Sequence, residues 1–133
     1  MLTKIEIETK KDNEIIDVAK RVEEIVQKSN IKEGVVTVYS PHTACGVTLN
    51  ENTDPSLKED LLRELSLLFP KGDPRYKHRG GNADAHIKSS AVGASVDIII
   101  ENRKLLLGQW QSIYFCEFDG PKQRQLFVKI LAG

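Results

Sequence analysis

Hydrophobic and polar residues alternate at the start of the chain. In residues 2–9, LTKIEIET, isoleucine and threonine alternate with mostly charged residues, as in a strand with one buried face. From Asn13 to Lys28 the apolar residues recur every three or four positions, which predicts an amphipathic helix capped by Asp12 or Asn13. We therefore expect a strand followed by a helix that only packs against the core.

Two β-branched segments and a leucine-rich segment follow. Residues 35–40, VVTVYS, predict a strand buried on both faces, and residues 46–51, GVTLNE, predict a second strand after the tight connection SPHTAC. A second helix is expected from Pro55 to Leu68, with Asp54 as its cap. Phe69 and Pro70 should end this helix.

A long polar segment separates these elements from a strand-rich second half. Residues 71–86, KGDPRYKHRGGNADAH, have no apolar periodicity, and loops of this length tend to be functional or disordered. The later segments ASVDIIIE, LLLG, QSIYFCEF and RQLFVKIL all predict strands. Two main helices and six or seven strands predict one α+β domain over residues 1–133, with a mainly antiparallel sheet.

Composition narrows the class of protein. The 133 residues suit one domain, and 19 basic residues balance 19 acidic ones, so no overall field favours nucleic acid or anionic lipid. The chain shows neither a signal-peptide pattern nor a membrane-spanning apolar run, which favours a cytoplasmic protein. In that compartment Cys45 and Cys116 are expected to be buried free thiols.

All three histidines, His42, His78 and His86, fall in or at the edge of predicted loops. Imidazoles suit zinc, and three of them that leave a fourth position open form a catalytic zinc arrangement. Their spacing matches no local metal motif. The alternative is that they are ordinary loop histidines.

Other polar residues offer further chemistry. Oxygen ligands could come from Glu51, Asn52, Asp54 and Asp84, and phosphate donors from Arg75, Lys77, Arg79 and Lys88. Gly80 and Gly81 would let backbone amides approach an anion, although no known phosphate motif surrounds them. Each has a simpler alternative: Asp54 as the helix cap, Glu51 as a solvated charge, and the cations as a solvated loop face. Glu117, on an apolar strand, is either a carboxylate in a pocket or an edge-strand charge.

Three blocks of the sequence resemble the signatures of the YjbQ family, whose members are described as secondary thiamine-phosphate synthases. The blocks are SPHTACGVTLNENTDP, the later H…GGNADAHIKSSAVG, and GQWQSIYFCEFDGPKQRQ, and they occur in order over nearly the whole chain. The resemblance implies a compact α+β homotrimer with a weak ability to make thiamine phosphate. It also implies a site built around the histidines of the first two blocks.

Carried over residue by residue, the resemblance implies roles for individual side chains. His42 matches the histidine of the SxHT block, and His78 and His86 match the two histidines of the second block. Together they would bind one divalent metal, zinc, with magnesium as the alternative for a pyrophosphate substrate. The remaining matches are Asn52 and Asp54 in the NExxD portion, which would lie close enough to complete or orient the metal site, and Glu117 in ExDG. Cys45 stands where small residues are usual.

Three functions from different classes follow. The first is a transferase that joins a pyrimidine pyrophosphate to a thiazole phosphate, with Asn52, Arg79 and Lys88 binding substrate. The second is a hydrolase of a phosphorylated metabolite, in which the histidines activate water and Glu117 or Asp54 takes a proton. The third is a non-catalytic trimer that binds a metal or phosphometabolite. None of the three involves nucleic acid or a membrane.

Overall fold

The structure is a computed structural model that describes residues 2–133, with eight strands and three helices. The strands are β1 (Leu2–Glu8), β2 (Glu14–Asp17), β3 (Gly34–Tyr39), β4 (Cys45–Glu51), β5 (Ser95–Glu101), β6 (Lys104–Leu105), β7 (Gln111–Glu117) and β8 (Gln123–Ala132). The helices are α1 (Ala19–Ser29), α2 (Ser56–Leu68) and α3 (Ala83–Val92). No helix within residues 2–133 is long and apolar enough to cross a membrane.

The strands form two antiparallel sheets. The five-stranded sheet has the order β1-β8-β3-β5-β6, and the three-stranded sheet has the order β2-β7-β4. Every pairing in both sheets is antiparallel, although only β5 and β6 are consecutive in the chain. The α+β fold with mainly antiparallel sheets is therefore confirmed.

The main core lies between the two sheets. Alternate residues of β1, β3, β5 and β8 pack there against Val47, Ile113 and Phe115 of the small sheet, and α1 contributes Val22 and Val26. A second cluster covers the opposite face of the small sheet, where α2 and α3 pack on Tyr114, Cys116 and Phe118. The small sheet is thus covered on both faces, which explains why β7 is almost continuously buried.

The helix expected from Asn13 begins later than predicted. Residues 14–17 form β2 and pair with β7, and α1 begins at Ala19, whose backbone N–H donates to Asp17 Oδ1 at 2.9 Å. The helix ends at Ser29 and is capped by Asn30, which adopts a left-handed conformation with φ of 59°. The prediction was wrong here because Ile15 fits a helical period as well as the strand that β7 completes.

Helix α3 occupies the end of the segment predicted as a loop and continues past it. Its buried residues include Asp84 and Lys88 as well as two alanines, so the helix has no apolar stripe for a periodicity argument to detect. Gly46 of β4 allows its close approach, because a Cβ there would lie 2.7 Å from Val92 Cγ1. The loop prediction was therefore wrong from residue 83 onward.

One face of the five-stranded sheet is not covered in the single chain. Val36 and Val38 of β3 are buried, but Val35 and Tyr39 are 38% and 45% exposed, so the strand alternates instead of being buried on both faces. Val35 lies in register with Ile99 of β5 and Leu131 of β8, which are 56% and 60% exposed. These three side chains form an apolar row across the outer face.

We expect Cys45 and Cys116 to remain unlinked. Both are buried free thiols, and they face opposite sides of the small sheet, because Cys45 lies opposite Glu117 and Gly46 lies opposite Cys116. Burial raises the pKa of Cys116 to about 12, which disfavours the reactive thiolate. Mass spectrometry of unreduced peptides should recover two free thiols, and a peptide linked through both cysteines would contradict this arrangement.

Candidate functional site

The three histidines line two adjoining clefts. The first cleft, of about 400 Å³, is lined by Thr43, Tyr76, Lys77, His78, Ala83, His86 and Ile87. The second, of about 520 Å³, is lined by Tyr39, Ser40, Pro41, His42, Thr43, His86, Ser89, Ser90, Gly93 and Ala94. Because Thr43 and His86 line both, the clefts are neighbours. The connection before β4, the long loop and α3 each supply one histidine.

His86 is held by a backbone carbonyl. Its Nδ1 lies 3.0 Å from the carbonyl oxygen of Thr43, which can only accept, so Nδ1 carries the proton and Nε2 keeps its lone pair. The ring of His78 lies across it edge to face, with centroids 5.1 Å apart. Two imidazoles therefore stand next to each other at the edge of the first cleft.

Hydrogen bonds from Asp119 through Asn82 fix the protonated nitrogen of His78. Asn82 donates from Nδ2 to Asp119 Oδ2 at 2.9 Å, and because a carboxylate only accepts, the orientation of the amide is set. Its Oδ1 then faces His78 Nε2 at 3.1 Å, so Nε2 donates and Nδ1 keeps the lone pair. Burial alone raises the pKa of Asp119, but its hydrogen bonds with Asn82 and Lys122 bring that pKa below its usual value.

Two glycines, Gly80 and Gly81, lie between the hydrogen-bonded residues His78 and Asn82 in the sequence. A Cβ on Gly80 would lie 2.8 Å from His78 Nε2 and 2.9 Å from Asn82 Oδ1, inside the hydrogen bond that joins them. Gly81 adopts a φ of 76°, which disfavours residues with a Cβ. The contact between His78 and Asn82 therefore requires glycine at position 80, and the backbone conformation favours it at position 81.

The hydrogen bond of His42 engages its lone pair, whereas those of His78 and His86 engage an N–H. Its Nε2 lies 2.9 Å from the backbone nitrogen of Gln125, which can only donate, so Nε2 carries the lone pair and Nδ1 the proton. Burial, and next the nearby positive charge of Arg124, lower the pKa of His42 below its usual value. The ring is therefore neutral near pH 7, with its lone pair already engaged.

A buried ion pair lies beside His42. Arg124 of β8 donates from Nε and Nη2 to the two oxygens of Glu117 on β7, each at 2.7 Å, and so joins the two sheets. Glu117 also accepts from the Thr9 hydroxyl, the Asp119 backbone N–H and, at 3.4 Å, the Cys45 thiol. Burial alone raises the pKa of Glu117, but these hydrogen bonds bring that pKa below its usual value.

Comparison with known sequences identifies the family. The sequence profile described as "UPF0047 protein YjbQ-like" matches residues 3–133. The chain belongs to the YjbQ family. It is 46% identical to the UPF0047 protein YugU of Bacillus subtilis (strain 168) over 131 residues, which span 98% of this chain and 99% of that protein. It is 48% identical over 131 residues to a UPF0047 protein of Methanocaldococcus jannaschii, across 98% and 94% of the two chains.

Solved structures of YjbQ-family proteins have the same fold. An uncharacterized conserved family member from Clostridium acetobutylicum is 48% identical, with a TM-score of 0.93 over 97% of this chain and 99% of its own. A YbjQ-like protein of unknown function from Sulfolobus solfataricus P2 is 31% identical, with a TM-score of 0.95 over 100% and 97% of the two chains. The family and its fold are thus established, and neither description names an activity.

The zinc site implied by the YjbQ resemblance fits only part of the histidine set. His86 Nε2 and His78 Nδ1 each keep a lone pair, as zinc ligands must. His42 uses its lone pair on the Gln125 amide. Within residues 2–133, no group of three or more histidine, cysteine or acidic side chains is arranged to hold a metal ion. Two imidazole lone pairs are therefore left free, and magnesium would find no carboxylate on the walls of either cleft.

Asn52 and Asp54 of the NExxD portion lie away from these clefts. They follow β4, whose seven residues span about 20 Å in extended form, whereas His42 precedes the same strand. Asn52 donates to Asp17 Oδ2, and Asp54 accepts the Ser56 backbone N–H at 3.0 Å at the start of α2. Within one chain β4 therefore separates this segment from the histidines, and its completion or orientation of a metal site stays a prediction.

The two cations expected to bind substrate lie outside both clefts. Arg79 is exposed in the long loop and lines neither cleft. Lys88 is 1% exposed, and its ammonium donates to Asn13 Oδ1 and Ser66 Oγ, each at 3.1 Å, and lies 3.5 Å from Asp84. Lys77 of the same polar loop is the lysine that lines the first cleft.

Two residues next to the histidines were missed by the sequence analysis. Arg124 occupies an inward position of β8, in alternation with Leu126 and Val128, and a cation there was a signal for a buried carboxylate partner. Asn82 gave no comparable signal, because its role depends on Asp119, which is distant in sequence.

Proposed function

We propose that this protein is a transferase of the thiamine-phosphate-forming type, which acts on a phosphorylated metabolite in the two histidine clefts. The observation that carries the proposal is the charge of the walls. The lining residues include three histidines and Lys77, and none is acidic, although the whole chain has no net charge. A ligand with phosphate groups would enter such a cleft without repulsion from a carboxylate on its walls.

The proposed chemistry needs few protein groups. The ring nitrogen of a thiazole phosphate forms a bond to the methylene carbon of a pyrimidine pyrophosphate, and the bond from that carbon to the pyrophosphate oxygen breaks. The electron pair leaves with pyrophosphate, so the protein has to hold two reactants together and stabilise the departing anion. Lys77 and the Nδ1–H of His42 are donors on the walls. A zinc ion bound by His78 and His86 would supply further charge stabilisation when present.

A hydrolase is the second candidate. His86 Nε2 and His78 Nδ1 are lone pairs that could take a proton from water. Glu117 is a less suitable base because Arg124, Thr9 and the Asp119 amide already occupy its oxygens. The other proposed base, Asp54, is an exposed carboxylate at the start of α2 and lines neither cleft.

One assay distinguishes the classes. The protein is incubated with the pyrimidine pyrophosphate, the thiazole phosphate, or both, and the products are identified by mass spectrometry. Pyrophosphate and thiamine phosphate formed only when both substrates are present support the transferase. Release of phosphate or pyrophosphate from one substrate alone supports the hydrolase. Binding of the substrates with no product supports the non-catalytic protein and rejects both enzymes.

Charge reversal tests the basic wall. Lys77→Glu is expected to weaken binding of inorganic pyrophosphate by about thirtyfold, because a unit charge pair at 4 Å contributes about 1 kcal/mol even in water and the reversal replaces this attraction by an equal repulsion. Lys71→Glu is the matched control: Lys71 lies in the same loop but pairs with Asp12 and lines neither cleft. Isothermal titration at low salt gives both constants. Equal weakening by the two variants would place pyrophosphate outside the cleft.

The proposed assembly is a homotrimer. The row of Val35, Ile99 and Leu131 on the outer face of the five-stranded sheet exposes apolar surface that a second and third copy could cover. Light scattering at micromolar concentration should therefore give three times the mass of one chain. Val35→Lys is expected to shift the mass toward the monomer, whereas Thr37→Lys, on the same face outside this row, should shift it less. A monomer mass for the unmodified protein would reject the trimer.

A further inference from the structure

His42 differs from the other two histidines in the ring nitrogen that it leaves free. Its lone pair on Nε2 accepts the Gln125 backbone N–H at 2.9 Å, which leaves a proton on Nδ1. His86 and His78 donate from Nδ1 and Nε2 respectively, which leaves a lone pair on each. The site thus contains one free N–H donor and two free acceptors.

The free N–H of His42 is open to the second cleft. No hydrogen bond from its Nδ1 is formed within residues 2–133. No buried side-chain nitrogen or oxygen in this part of the chain lacks a partner, so Nδ1 must be accessible from outside. His42 lines the second cleft, which makes that cleft the place where a ligand would meet the proton.

The surroundings keep this ring neutral. Burial, and next the positive charge of Arg124, lower the pKa of His42 and outweigh the neighbouring carboxylate of Glu117, which raises it. Because the Gln125 N–H occupies Nε2, protonation of the ring would also break a hydrogen bond. The neutral form with the proton on Nδ1 is therefore the form that the fold stabilises.

We propose that His42 binds an oxygen of the phosphorylated ligand as a neutral hydrogen-bond donor through Nδ1–H, and that it is not a metal ligand. If a metal binds here, His78 Nδ1 and His86 Nε2 would be the imidazole nitrogens with lone pairs free to hold it, and water or the bound molecule would supply its other ligands. Ligation by His42 would require either loss of the Gln125 bond or removal of the Nδ1 proton. The proposal rests on the proposed function only for the identity of the ligand.

Nitrogen NMR of the histidine-labelled protein tests the assignment directly. At pH 7.5 the His42 ring should show a protonated Nδ1 and an unprotonated Nε2, the reverse of His78. Zinc should shift the nitrogens of His78 and His86 and leave those of His42 in place, and inorganic pyrophosphate should shift His42 Nδ1. A proton on His42 Nε2, a zinc shift on His42 equal to those on the other rings, or no response of Nδ1 to pyrophosphate would each overturn the proposal.

Two substitutions separate the donor from the structural acceptor. In His42→Gln the side-chain oxygen can still accept the Gln125 N–H, but no donor remains near Nδ1, and pyrophosphate binding should weaken about fivefold. His42→Asn places an amide donor near Nδ1 and should bind within about threefold of the parent. Equal loss in both variants, or full binding by His42→Gln, would reject the donor role.

These measurements require no turnover, so they distinguish the two proposals. An Nδ1 response to pyrophosphate without any product in the activity assay would reject the transferase and keep the donor role of His42. Thiamine phosphate formation by a protein whose His42 ring responds to zinc and not to pyrophosphate would keep the transferase and reject the donor role.

Discussion

Replacing Arg124 by leucine is expected to lower the free energy of unfolding by about 3–5 kcal/mol at pH 7. The substitution leaves Glu117 fully buried and charged, with the two strongest of its hydrogen bonds removed. Urea denaturation followed by circular dichroism measures the change. A loss below about 1 kcal/mol would show that the pair contributes little to joining the sheets.

Two further variants show whether the unpaired charge is the cause. Replacing both Glu117 and Arg124 by leucine should recover most of the loss, since no buried charge then remains. Arg63→Leu is the surface control: its pair with Asp60 is exposed, and its effect should stay within about 0.5 kcal/mol. A double variant as unstable as Arg124→Leu alone would assign the loss to packing.

The Glu117–Arg124 pair also determines how the free energy of unfolding changes as the pH falls. The pKa of Glu117 is lowered in the folded protein, so its contribution to stability is present above pH 4.5 and is lost as the pH falls through the folded value. In Arg124→Leu the unpaired carboxylate should have a raised pKa, so protonation would relieve the buried charge. The difference in unfolding free energy between parent and variant should therefore shrink as the pH falls from 7 to 4.

His86→Ala is expected to have the largest effect on turnover. His86 is the histidine that lines both clefts, so it can contact both reactants of the proposed transfer. Loss of one positioned polar group in an active site costs about 100-fold or more in turnover, and we expect a decrease of this size in thiamine phosphate formation. The rate at saturating concentrations of both substrates measures it.

A conservative variant separates this role from folding. His86→Asn keeps a donor near Nδ1 for the Thr43 carbonyl but removes Nε2, so it should unfold like the parent and be as inactive as His86→Ala. Ser90→Ala, at an exposed position that lines only the second cleft, should change turnover less than threefold. An active His86→Asn would show that the ring serves only to hold the loop.

The strands were predictable because their signals are local. The alternation of Ile5 and Ile7 with charged residues placed β1 within one residue of its observed end, and the leucines after Pro55 placed α2 equally well. Strand β2 was not predictable in this way. Its four residues are a strand because β7 pairs with them, and that partner lies about a hundred positions away.

The candidate site was predictable in part, for physical reasons. The sequence placed His42 and His78 correctly in loops but missed that His86 lies on α3, and the fold places all three around adjoining clefts. It does not show which ring nitrogen is free, because that depends on partners such as Gln125 and Asn82, which contact the rings only after folding. A metal-ligand prediction made from residue types alone cannot include this information.

Lys88, the buried lysine of α3, helps to fix the position of His86 on the same helix. Two apolar surfaces can slide past each other by part of a helical turn at little cost in free energy, because the hydrophobic effect is non-directional. Lys88 reaches Asn13 before β2, Ser66 on α2 and Asp84 on its own helix, and its ammonium lies 5.8 Å from the centroid of the Phe118 ring. A satisfied polar network of this kind has one geometry in which all its bonds are made. Helix α3, which carries His86, can therefore pack on the sheet in only one position.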